Sequence, residues 1–217
     1  MQKISKGQED QRKKPRTRDR ILQAARELFN KQGEARVTLA HIGEYMGISE
    51  GNVWYHFHTK QDVIYALFME LQVQIRANQQ LDLGGGAEIE QLQNLVARAF
   101  HLMWEYRFLF RDHINWAAGQ PEIYEQIVAL TNQGCVFVEH VLEQMRQRNL
   151  IELKPQEAPI LATNIWIVCR YWIDYCQARS DRQQITEQRV QEGIQQVRAL
   201  ILPYMTPLGH RQFNIQS

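Results

Sequence analysis

Apolar residues recur at intervals of three and four along nearly the whole chain, and no stretch of any length alternates with period two. A chain with that one period can bury its apolar stripes only by packing helix on helix, so the fold class is all-α. Capping residues and breaks divide the pattern into about nine helices. The first runs from about Arg18 to Gln32, with Ile21, Ala25, Leu28 and Phe29 on its stripe and Gly33 as its stop. Thr38 caps a short helix ending near Met46, and Ser49 caps another from Glu50 to about His56. Thr59 with Asp62 resembles a capping box and opens a long helix to about Leu81, before Gly84-Gly85-Gly86 interrupts the pattern. Further helices are expected over about 87–106, 108–116, 121–149 (with Pro121 at its first position), 156–179 and 186–205.

Charge is unevenly shared. Residues 1–60 hold twelve Lys and Arg against seven Asp and Glu, a net +5, while the remainder holds thirteen against seventeen, a net −4. A basic first quarter on a near-neutral chain points to a polyanionic partner at one end, or to a solvated basic tail. The N-terminal MQKISKGQEDQRKKPRTRD has no apolar core, so no signal peptide is read there. The most apolar stretch, Ile160 to Cys176, is interrupted by Asn164, Arg170 and Asp174. A membrane span needs about 20 mostly apolar residues, so this stretch reads as a buried helix and the chain as cytoplasmic, with no membrane partner.

Cys135, Cys169 and Cys176 lack metal-type spacing, and His101, His113 and His140 are dispersed, so neither metal nor cofactor is expected. The three thiols read as small buried hydrophobes, with a redox pair of Cys169 and Cys176, seven residues apart, as the alternative. No nucleophile–base pairing, phosphate-cradling Gly-rich loop or metal-spaced His/carboxylate set is legible, which argues against an enzyme.

The informative segment is Thr38 to Lys60, TLAHIGEYMGISEGNVWYHFHTK. Leu39, Ile42 and Met46 form the apolar face of one short helix, Val53 and Phe57 that of the next. Gly47 permits a left-handed turn between them, Ile48 fills the space, and Ser49 starts the second helix. That is a helix-turn-helix, whose second helix enters the DNA major groove N-terminus first. Packing leaves Glu50, Gly51, Asn52, Trp54, Tyr55 and His56 unclaimed. Asn52 suits the N6/N7 edge of adenine and Glu50 the N4 of cytosine, while Gly51 allows close backbone approach. Thr38, by its hydroxyl and the amides at its helix start, suits a phosphate.

The segment resembles the DNA-binding domain of the tetracycline-repressor (TetR) family. Thr38, Ile42, Gly47, Ile48, Ser49, Gly51, Val53, His56, Phe57 and Lys60 carry the likeness, with Ala24-Ala25, Leu28-Phe29 and Gly33 ahead of them. Two residues depart from the family pattern: Trp54 stands where a phosphate-binding Tyr is usual, and Gly43 where Ala is preferred. The resemblance implies a flexible basic arm at 1–15, a DNA-binding domain at 16–62, an effector-binding and dimerisation domain at 63–205 and a tail at 206–217. It implies a homodimer joined through the last two long helices on a pseudo-palindromic double-stranded operator, acting as a repressor. Val190, Ile194, Val197 and Ile201 form one stripe suited to the dimer face. Trp104, Phe108, Phe110, Trp116, Phe137, Trp166 and Trp172 are candidate walls of an apolar pocket for a small hydrophobic or aromatic effector, with filling of the core as their other reading. Arg107 and Arg111 suit an anionic effector, a solvated face, or pairing with Glu105 or Asp112. A regulator without a small ligand, controlled by a protein partner or by cysteine oxidation, is the alternative function.

Overall fold

The computed structural model describes residues 16–79, 88–111, 120–179 and 186–214 of the 217-residue chain. The expected arm at 1–15, the Gly84–Gly86 break, Asp112, His113, Trp116 and the last three residues of the expected tail lie outside them. The described residues form ten helices: α1 Thr17–Gln32, α2 Leu39–Met46, α3 Glu50–His56, α4 Lys60–Asn78, α5 Glu88–Glu105, α6 Arg107–Arg111, α7 Pro121–Gln147, α8 Ala158–Ala178, α9 Glu187–Ile201 and α10 Pro207–Asn214. The chain divides into two compact units, Met1–Ile64 and Tyr65–Ser217. Among the described residues no helix is long and apolar enough to cross a membrane.

In the first unit α1 packs on α2, and α2 on α3. α1 buries Ile21, Leu22, Ala24, Ala25, Leu28 and Phe29 and stops at Gly33, whose φ of 84° suits glycine and whose N–H donates to the Phe29 carbonyl at 3.0 Å. A 3₁₀ turn, Glu34–Arg36, brings in Val37, which is wholly buried. Ile42, Val53 and Phe57 are buried beneath α2 and α3, whereas Leu39, Met46 and Ile48 are half-buried. Gly47 takes φ 68° and ψ 32°, the left-handed turn that ends α2, and the Ile48 N–H returns to the Gly43 carbonyl at 2.9 Å.

In the second unit α8 is the central helix, packed against α5, α7 and α9, and α9 also packs on α5. Two glycines set these approaches. A β-carbon at Gly134 on α7 would stand 2.0 Å from the Trp166 ring, and one at Gly193 on α9 would stand 2.7 Å from the Phe100 and Trp172 rings. Arg170 is buried on α8, where its guanidinium donates to the Phe110 carbonyl at 2.6 Å, meets Asp174 at 3.4 Å and lies over the Phe110 ring. Gln74 donates to the buried Tyr106 hydroxyl at 2.8 Å, tying the later turns of α4 to the end of α5.

α10 occupies part of what the sequence reading assigned to a tail. Thr206 ties its start to the end of α7: the Thr206 hydroxyl donates to the Asn149 carbonyl at 2.6 Å and accepts from the Gly209 N–H at 3.0 Å. Just before it, Ile151 and Met205 form an isolated antiparallel bridge, with the Glu152 N–H on the Tyr204 carbonyl at 2.7 Å.

Candidate nucleic-acid interface and ligand cavity

Three caps position the surface of the first unit. The Thr38 hydroxyl accepts from the His41 N–H, and His41 Nδ1 accepts from the Thr38 N–H, both at 3.3 Å. Histidine thus closes a capping box at a place where Glu or Gln is usual. The Ser49 hydroxyl accepts from the Asn52 N–H at 3.3 Å. Thr59 and Asp62 form the expected reciprocal pair at the start of α4, at 2.8 and 3.1 Å. These bonds satisfy donors that helix starts leave open, and they fix the angles at which α2, α3 and α4 leave their turns.

On α3, Val53 faces inward, while Glu50, Gly51, Asn52, Trp54 and Tyr55 lie in solvent and His56 is half-buried. Trp54 and Tyr55 are 56% and 79% exposed, a large apolar area for a short helix to leave in water. The Trp54 ring rests 4.5 Å from the His58 ring, and the Tyr55 ring meets His56 edge-on at 5.2 Å. At Gly51 a β-carbon would touch only the Ser49 hydroxyl, at 3.8 Å, so nothing inside the unit requires glycine there. Thr38 and Ser49 are exposed beside their caps. Lys60 is more constrained than the sequence suggests. Its ammonium lies 2.7 Å from the Glu34 carboxylate and 3.1 Å from the Glu34 carbonyl, so it braces the 3₁₀ turn.

The second unit encloses a cavity of about 430 Å³, within the usual size of small-molecule sites. One wall, from α7 and α8, is apolar: Leu130, Phe137, Val138, Val141, Ile165 and Trp166. The other, from α4, α5 and α9, mixes Ile75, Leu95, Met103 and Ile194 with Asn78, Gln93, Asn94, Gln191, Gln195 and Arg198. Asn78 donates to the Leu95 carbonyl at 3.2 Å, and its own side-chain oxygen is buried with no partner among the described residues.

Of the aromatic candidates, Phe137 and Trp166 line this cavity. Trp116 lies outside the described residues, and the remaining four do not line the cavity, each for a specific reason. The Trp104 ring is covered by the Arg107 guanidinium at 3.9 Å. Phe108 and Phe110 are packed away at 2% and 3% exposure. Trp172 turns toward α9 and donates its indole N–H to the Arg189 carbonyl at 2.8 Å. Arg107 donates to the Trp104 carbonyl at 2.8 Å, and burial, then the charge of Arg111, lowers its pKa to about 10. Arg111 meets Asp174 at 3.8 Å and Gln177.

The stripe expected at the dimer face is corrected. Val190, Ile194 and Val197 are buried within their own chain, because α9 turns them onto α5 and α8. Among the apolar rows left in solvent, α8 carries the one beside α9: Ile160, Ile167, Tyr171 and Tyr175, at 64%, 48%, 47% and 49% exposure, while α4 exposes Tyr65, Met69 and Val73. The spacing of seven, four and four in the α8 row places it on one helical face. Ile167, Tyr171 and Tyr175 border an open groove whose other side is Arg189, Glu192 and Gln196 of α9. Burial raises the pKa of all three cysteine thiols, that of Cys169 to about 12, which disfavours the thiolate at Cys169.

Residues 21–67 match the family described as bacterial regulatory proteins, tetR family, and residues 65–213 match TetR, described as bacterial transcriptional repressor. Over 55 residues the chain is 42% identical to the HTH-type transcriptional regulator TtgR of Pseudomonas putida, covering 25% of this chain and 26% of that protein. Over 130 residues it is 25% identical to the HTH-type transcriptional regulator UidR of Escherichia coli, covering 60% of this chain and 65% of UidR. The aligned part thus spans about a quarter of TtgR and less than two thirds of UidR. The crystal structure of a TetR-family transcriptional regulator from Marinobacter aquaeolei superposes with a TM-score of 0.81 at 26% identity, covering 93% of this chain and 98% of that one.

Proposed function

Since this chain belongs to the TetR family of non-enzymatic, DNA-binding transcriptional regulators, we propose that it is a cytoplasmic repressor released from its operator by a small, largely apolar effector. α3 enters the major groove N-terminus first. There Asn52 bonds the N6 and N7 edge of adenine, and Glu50 accepts from cytosine N4. Gly51 lets the helix backbone come close to the DNA. Thr38 and Ser49, with the N–H groups beside them, hold phosphates, and Trp54, Tyr55 and His56 add side-chain donors along the same backbone. Lys60 contributes charge next to them while shared with Glu34.

A second copy of the chain covers the α8 row of Ile160, Ile167, Tyr171 and Tyr175, giving a homodimer through α8 and α9. A two-fold dimer calls for a pseudo-palindromic operator with half-sites about one DNA turn apart, roughly 34–36 Å. The effector occupies the cavity against Phe137 and Trp166 and binds the DNA-free form better, since equal affinity for both forms would shift nothing. α4 joins the two sites along the chain, contributing Lys60 at its first residue and Ile75 and Asn78 to the cavity wall.

The observation that carries this reading is α3 itself, a helix whose polar and aromatic side chains stand in solvent while Val53 alone is buried within it. Selection of bound fragments from random DNA pools by the purified protein tests it. A palindromic consensus is expected, and recovery of unrelated fragments would sink operator recognition. Titrating the neutral apolar probe N-phenyl-1-naphthylamine into the protein–operator complex should then release the DNA. Probe binding that leaves the complex intact would leave a DNA-binding dimer without a small-molecule switch.

A further inference from the structure

The cavity carries a sign as well as a shape. Among the described residues its lining has no Asp, Glu, Lys or His, and Arg198 is its one permanently charged group. Arg198 stands on α9 in register with Gln191 and Gln195, at spacings of four and three, so the three form one polar row. That row is about 10 Å long at 1.5 Å per residue. Gln191 and Gln195 are exposed and Arg198 is half-buried, while Ile194 and Val197, on the neighbouring row, are buried. The polar row therefore marks the side on which the cavity meets water. Across from it, α7 and α8 present Phe137, Val141, Ile165 and Trp166.

We propose that the effector is an anionic amphiphile, its carboxylate or similar head on Arg198 beside Gln195 and its apolar body against Phe137 and Trp166. The assignment rests on the reading of this cavity as the effector site. A carboxylate leaving water needs a cation and donors around it, and a guanidinium offers five N–H groups, enough to serve a ligand alongside partners in the chain. Among the described residues, an ammonium head in the same place finds amides and a like charge, with no carboxylate lining the cavity to neutralise it. Selectivity against cations follows from the same residue that selects anions.

Three probes of one chain length, decanoate, 1-decanol and decylammonium, titrated below their aggregation concentrations into the intact protein by calorimetry, test the assignment. Decanoate should bind at least tenfold more tightly than decylammonium, with decanol as the uncharged reference. Arg198→Gln should weaken decanoate on the order of tenfold, the worth of one charge-assisted hydrogen bond, and leave decanol unchanged. Gln195→Glu, which sets a carboxylate one turn from Arg198 at an exposed position, should abolish the preference for decanoate over decylammonium. Decylammonium binding as well as decanoate, or Arg198→Gln weakening decanoate and decanol alike, would overturn the head-group assignment while the cavity still stood as a ligand site. Failure of all three to bind, with N-phenyl-1-naphthylamine failing as well, would overturn both the assignment and the effector cavity beneath it.

Discussion

At Gly51 a methyl group would reach only the Ser49 hydroxyl, but at Gly43 it would stand 3.0 Å from the Ile48 carbonyl and 3.3 Å from the Glu50 nitrogen. Gly51→Ala should therefore raise folding stability by up to about 1 kcal/mol, the helix-propensity difference, while weakening operator binding. Urea unfolding and fluorescence anisotropy on labelled operator read the two effects, and unchanged DNA affinity would remove Gly51 from the interface. Asn52→Ala should relax selectivity at one position per half-site by about 1–3 kcal/mol, and an unaltered selection profile would count against its contact with a base. Cys169 makes a separate prediction, on pH. Burial raises its thiol from an ordinary 9.0 to about 12, so the unfolded chain gives up this proton first. Its contribution is intact below pH 9.0 and is lost as pH rises toward 12. Cys169→Val should flatten the fall of urea stability across that range, and an identical slope in both proteins would show the thiol to be more accessible than its burial implies.

The helix starts of the first unit were legible because each is signalled within four residues: Ser49 before Asn52, Thr59 before Asp62, Gly47 where a left-handed turn is required. His41 was not legible as the partner of Thr38, since histidine serves a cap only when its ring nitrogen happens to face the N–H. α10 carried a readable signal that composition obscured, a threonine cap at Thr206 followed by Pro207 at the first helical position. The pairing of Lys60 with Glu34 spans 26 residues and has no local signature. Periodicity likewise marks α9 as amphipathic without saying whose surface its stripe covers. That decision belongs to Gly193, which lets α9 approach Phe100 and Trp172 closely enough to bury Val190, Ile194 and Val197. The face proposed for a second copy is the α8 row. Tyr171→Glu, at a residue 47% exposed in the single chain, should convert the dimer to a monomer in sedimentation velocity with helicity by circular dichroism unchanged. A dimer that persists at micromolar concentration would move the interface elsewhere.

For the molecule as a whole, two affinities are tied together. If the effector weakens operator binding by some factor, the operator must weaken effector binding by the same factor. Calorimetric titration of ligand into free protein and into the protein–operator complex measures both sides of that equality, and equal affinities in the two would break the link. DNA binding should also fall with salt, the logarithm of affinity declining by roughly 0.9 per phosphate neutralised, whichever sequence is bound. Which aromatic residues line the cavity could not be read from the chain, because Phe137, Trp166 and Trp172 differ only in what α7, α8 and α9 bring opposite them. The contact of Gly134 with Trp166 carries this furthest. The indole lies where a side chain on α7 would otherwise be, and it forms part of the cavity wall because position 134 has none. Any larger residue there would turn the ring out of its seat, and the space that ring borders is the cavity proposed for the effector. If this cavity is the effector site proposed above, one methyl group at position 134 separates the chain from a form that carries its own stopper.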